Sequence, residues 1–251
     1  MRLRAIGIAI TTLLAGTTGA LAAEAVPDPN SGMPYGFSPV GDDAVYFHPI
    51  MNQMEGRFGD GASEFRWDGE AWVGTDFNKL WLKSEGSLHG GAVAGGQHEV
   101  LYDRPVTTYF DLQAGLRADL DSLPERTWAA FGIQGLAPYS FEVSATAYAS
   151  DGGHYAAKLG GLYDLLITQR LILQPQIELN FYSKADPVRE VGQGLSHLDS
   201  GLRLRYELSR KFAPYVGVTY ASKFGRTADF ASNGGGPVNQ LRFALGLRAW
   251  F

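Results

Sequence analysis

The chain of 251 residues has no cysteine. That absence excludes disulfides, thiolate metal sites and cysteine nucleophiles together. It suits a protein that crosses an oxidising compartment unfolded. Methionine and histidine are scarce as well, at 4 and 5 residues. Beyond residue 25 no apolar run reaches the roughly 18 residues that a membrane-spanning helix needs. Mean hydropathy is −0.11. The formal net charge is −5, and no basic stripe is present, so nucleic acid is not an expected partner. No phosphate-binding loop or zinc signature occurs.

Glycine is abundant, at 32 residues, and aromatics make up 12%. That pairing suits an all-β chain with many turns and aromatic girdles. The last segment, Leu241–Phe251, shows the pattern most clearly. Leu241, Phe243, Leu245, Leu247, Ala249 and Phe251 fall on one face of an extended strand. Arg242, Ala244, Gly246, Arg248 and Trp250 fall on the other. Similar runs recur upstream. Strands of about 10 residues with strict alternation, separated by turns, are the signature of a transmembrane β-barrel. Backbone polar groups in lipid must be paired, so such a sheet has to close, and this strand would seal the ring.

Residues 1–22 read as a secretory signal peptide: Arg2 and Arg4, the apolar Ala5–Leu14, then Ala20-Leu21-Ala22 as cleavage pattern. Residues 23–43 are rich in proline and glycine and read as a flexible periplasmic arm. Residues 44–251 read as an antiparallel up-and-down transmembrane β-barrel of about 12 strands. In the second strand, Arg66, Asp68, Glu70 and Trp72 alternate with Phe65, Trp67, Ala71 and Val73. Further strands are expected over Val45–Arg57, Lys79–Gly86, Gln97–Arg104, Phe110–Asp119, Thr127–Gly135, Ser140–Ala149, Tyr155–Leu166, Leu171–Tyr182, His197–Leu208 and Ala213–Ser222. Tight turns fall at Asn78-Lys79, Pro105-Val106, Pro138-Tyr139, Gln169 and Arg210-Lys211. Longer loops are expected at Ser87–Gly96, Asp121–Glu125, Ser183–Ser196 and Lys223–Val238, on the outer side. Pro175 in mid-strand removes a ladder donor and predicts a local bulge.

The second face of these strands carries Asp68, Glu70, Asp111, Arg117, Glu142, Lys158, Glu178, Arg203, Arg205, Glu207, Arg242 and Arg248. A dry core would penalise so many charges heavily. A small wet lumen lets them pair. A ring of about twelve strands lies between the side-chain-filled eight and the open sixteen, so the lumen should be narrow and largely occupied.

Several segments resemble a known family. Asp68–Gly86 (DGEAWVGTDFNKLWLKSEG) resembles the hallmark stretch of the copper resistance protein B family. Arg126–Ala130, Gly135–Tyr139, Tyr163–Pro175, Gly201–Glu207 and Phe212–Val218 look like the rest of it, in order, over about Val45–Phe251. The resemblance implies a barrel in the bacterial outer membrane with a part in copper handling. Copper ions, as Cu(I) or Cu(II), outer-membrane lipid and periplasmic copper-handling proteins are the partners it implies. Family members often carry a long arm rich in Met and His before the barrel; here the arm is short.

Thioether sulfur suits Cu(I), and imidazole suits either redox state. Met33, His48, Met51 and Met54 are the candidate ligands near the arm. Alternation places His48 and Met54 on one strand face and Met51 on the other. His89, His98, His154 and His197 are expected at outward strand ends or loops, as a weak metal-collecting mouth. A structural barrel or small nonspecific channel is the rival reading. An outer-membrane lipid hydrolase would need a Ser/His pair at the lipid face, yet Ser196 and His197 fall on opposite faces. No enzyme is expected.

Overall fold

The computed structural model describes residues 44–60, 63–120 and 125–251. The expected signal peptide at 1–22, the arm at 23–43 with Met33, Gly61 of the first turn, and residues 121–124 lie outside the described residues. The elements in order are β1 (Tyr46–Gly59), β2 (Glu64–Gly74), β3 (Lys79–His89), β4 (Ala92–Pro105), β5 (Phe110–Asp119) and β6 (Arg126–Ala137). Then come β7 (Phe141–Ser150), β8 (His154–Leu162), β9 (Leu165–Leu166), β10 (Leu171–Tyr182), β11 (Gly194–Tyr206), β12 (Phe212–Lys223), α1 (Gly225–Asn233) and β13 (Asn239–Trp250).

Each strand pairs antiparallel with its sequence neighbour, and β13 pairs back onto β1. The ring is closed, with twelve full strands and the short β9 continuing β8. Phe58 faces Phe243 across the seam, and the Phe251 amide donates to the Pro49 carbonyl at 3.1 Å. Closure by the terminal strand leaves no open sheet edge. The wall exposes apolar side chains outward: Leu116, Phe131, Val216, Phe243 and Leu245 are all more than half exposed. Their neighbours on the other face are buried, Arg242 and Ala244 at 4% each. Alternation therefore runs greasy outside and polar inside, the reverse of a soluble barrel. An apolar cluster of Leu101, Trp128, Ala130 and Tyr148 fills part of the lumen from β4, β6 and β7.

Three local expectations need correction. The segment Ser87–Gly96 is no loose loop. β3 and β4 run on as a hairpin through Gly90 and Gly91, whose φ values of +56° and +86° a two-residue turn requires. The segment Lys223–Val238 contains α1. Pro175 itself keeps register with Leu202 of β11. The irregularity sits on its other neighbour, where β8 breaks off and β9 resumes. A residue's N–H and C=O point to the same neighbour. The Pro175 carbonyl accepts from the Tyr163 amide at 3.1 Å, so its missing N–H faces that break.

The short connections 75–78, 106–109, 138–140, 167–170 and 207–211 share one end of the ring with both termini of the barrel. This is the tight-turn end. The opposite, long-loop end holds 183–193 and the α1 connection.

Candidate functional site

The lumen is built from the inward residues of every strand. Among its most buried side chains is Glu55, which is 0% exposed. Glu55 accepts from the Arg57 Nε at 2.7 Å, from the Arg203 Nε and Nη2 at 2.9 Å each, and from the Tyr215 hydroxyl at 2.9 Å. Arg57 reaches on to Asp199 at 2.8 Å. A buried carboxylate needs such a set, because an unpaired one is strongly destabilising. The sequence makes room for it: a Cβ on Gly246 would lie 2.5 Å from the Tyr215 ring and 2.8 Å from the Glu55 Cβ. Gln53 and Gln176 extend the network, their side chains 2.7 Å apart.

A second charge group crosses the lumen. Arg66 on β2 stands 3.8 Å from Glu178 on β10 and 4.0 Å from Glu85 on β3. Lys158 on β8 lies 3.5 Å from Glu178 and in closer contact with Glu85. β2 and β8 are six steps apart around the ring in either direction, so this group bridges opposite walls. We call it the septum. Its side chains keep 15–20% exposure, so it is hydrated rather than dry. Cavities of about 480 and 450 Å³ lie on either side, and Glu85, Gln97 and Glu178 line both. The tight-turn chamber is lined by Asp68, Glu70, Glu99, Asp111 and Glu142 against Lys83 and the septum's Lys158. The long-loop chamber is lined by Arg66, Arg117, Arg189 and Lys223, with Asp119 and Asp199.

The candidate copper ligands are not gathered. Asn52 and Gln53 form a bulge in β1, since Met51 pairs with Gly69 and Gln53 with Asp68, leaving Asn52 extra. A bulge adds one residue and inverts the alternation. Met51 and Met54 therefore both face the outer wall, and His48 faces the lumen, between Trp72 at 5.9 Å and Trp250 at 5.4 Å. This corrects the expected grouping of His48 with Met54. His98 also lies on the outer wall, in register with Ser84 and Ala118 and on the face of Val100 and Tyr102. His89, His154 and His197 stand at the long-loop end on lumen-facing positions. His89 is 3.6 Å from Glu64, which also holds Arg242. Among the described residues, no three His, Asp or Glu side chains could hold a metal ion together. Ser196 is fully buried against Thr227 of α1, away from His197. The septum partners Arg66, Glu85 and Lys158 are alternating inward charges whose facing across the ring no sequence spacing reveals.

Fold and lumen define a closed antiparallel β-barrel whose interior is crossed by charged side chains. The NanC porin is similar in fold, with a TM-score of 0.54 over 81% of this chain and 99% of that one, at 14% identity. The sequence profile described as "Copper resistance protein B precursor (CopB)" matches residues 45–251. "Copper resistance protein B" of Escherichia coli is 43% identical over 84% of this chain and 71% of that protein. "Copper resistance protein B homolog" of Pseudomonas syringae pv. tomato is 43% identical over 84% of this chain and 72% of its own. The chain belongs to the copper resistance protein B family.

Proposed function

We propose that this chain is an outer-membrane barrel of bacterial copper tolerance that binds copper ions as cargo and passes or sequesters them without catalysis. The observation that carries the reading is the inverted wall: apolar outside, ionic inside, on a chain of the copper resistance protein B family. Export by residues 1–22, contact with outer-membrane lipid, and exchange with periplasmic copper-handling proteins belong to the same reading. Copper would be taken in weak, separate contacts rather than in one cage. His48, between two tryptophans at the tight-turn mouth, supplies one entrance, and Met33, outside the described residues, is a further candidate ligand. His89, His154 and His197 supply the other. Met51, Met54 and His98 face the wall and would act only on copper arriving along it.

Metal analysis of the refolded barrel, with and without residues 23–43, tests this. Copper bound above a blank, and reduced when His89, His154 and His197 become alanine, is the expected result. No copper in either form would overturn it. A narrow ion channel is the second reading, and the two chambers favour it. Copper tolerance of a deletion strain, restored by this gene, separates the two.

A further inference from the structure

The connection 183–193 between β10 and β11 does not project outward. Its tip is folded on itself: Asp186 and Val191 exchange backbone hydrogen bonds of 2.8 and 3.0 Å, and the Val188 amide donates to the Asp186 carboxylate at 3.2 Å. Glu190 takes φ +55°, a conformation that fixes the turn. The tip thus presents Asp186 and Arg189 as a preformed pair of charges. Arg126 at the start of β6 binds Asp186 at 2.9 Å. Arg189 binds Asp119 at the end of β5 at 2.8 Å. β5 lies five steps around the ring from β11, so the tip spans the mouth. Arg189 and Val191 line the chamber beneath it. At its far end the strap is pinned: the Gly192 amide donates to the Thr227 hydroxyl at 2.7 Å, and Thr227 touches Ser196. Thr227 is 2% exposed and Ser196 0%.

We propose that the strap formed by 183–192 is a gate, hinged on the buried Thr227–Ser196 anchor and latched shut by Arg126–Asp186 and Arg189–Asp119. The inference needs only the closed barrel, and stands apart from copper. The latch is ionic, and Val188 at the tip is 69% exposed. Release orphans nothing on the wall. Asp119 keeps the Arg117 Nε at 2.7 Å and the Trp128 Nε1 at 2.8 Å. The Arg126 guanidinium keeps the Trp128 ring, 5.5 Å away. Arg189 gains by release, because its Nη1 is shut from water with no acceptor in the latched position. The start of the strap stays fixed, Ser183 to Tyr155 and the Lys184 Nζ to the Gly152 carbonyl at 3.0 Å, so closed and open positions of the tip differ by two exchangeable ion pairs.

The cysteine-free chain makes the test direct. Asn180→Cys places a thiol in the chamber behind the strap, and Thr146→Cys places one in the other chamber. Each is reacted with a sulfonated maleimide on the refolded barrel. Adding Arg126→Gln and Arg189→Gln should speed labelling at position 180 by roughly tenfold or more, in proportion to the open fraction, and leave position 146 unchanged. Equal rates at 180 with and without the latch overturn the gate. A second arm keeps the latch intact and raises ionic strength from about 0.05 to 1 M, where screening weakens exposed pairs. Labelling at 180 should accelerate. A flat rate overturns the gate even where the latch variant fails to fold.

Discussion

In the tight-turn chamber, carboxylates face water with few cations to match them. Asp68 and Glu142 make no hydrogen bond or ion pair among the described residues, and Lys83 is taken by Gln113 and Gln134 at 3.0 Å each. In the long-loop chamber every carboxylate has an arginine: Asp119 has Arg117 and Arg189, Asp199 has Arg57, and Glu178 has Arg66. The two chambers are alike in volume and differ in charge pairing. Unpaired carboxylates in a confined aqueous space concentrate cations. Paired ones make rigid walls. One half of the lumen is built to attract, the other to hold its own lining in place.

Substitutions separate the two chambers. The largest effect is expected from Glu55→Gln, in the fully paired network behind both chambers. It leaves Arg57 and Arg203 short of a counter-charge, and removing one partner of a buried pair costs about 3–5 kcal/mol. Urea unfolding of the refolded barrel should show that loss; an unchanged midpoint would mean the network is wetter than its 0% exposure indicates. Next, Lys158→Gln removes the septum's contact with Glu85 and joins the chambers. Ion current through the variant should exceed that of the unaltered barrel several-fold. Equal currents would place the barrier elsewhere. Third, Glu70→Gln with Glu142→Gln should reduce cation preference in a salt gradient, while Asp199→Asn should leave it nearly unchanged. Equal effects from both would erase the contrast between chambers. The smallest effect belongs to the wall: Met51→Leu with Met54→Leu should shift stability by under about 1.5 kcal/mol and leave lumenal copper uptake intact. Lost uptake would return those sulfurs to the site.

Much of this was legible in sequence. Strict alternation in Leu241–Phe251 identified which residues face in, and the structure agrees, with Arg242 buried and Phe243 exposed. The bulge at Asn52 was not legible. A single inserted residue leaves no compositional trace, yet it puts Met51 on the wall beside Met54 and turns His48 to the lumen. The helix α1 hides in a glycine-rich segment whose pattern reads as loop. The septum and the strap depend on which strands face each other across the ring. Arg66 meets Glu178, and Arg189 meets Asp119, only because closure brings distant segments together.

Planar-bilayer recording of the refolded, unaltered barrel reads out the charged septum that divides the lumen. A small, cation-preferring current is predicted. A large current without preference for either ion sign would contradict it.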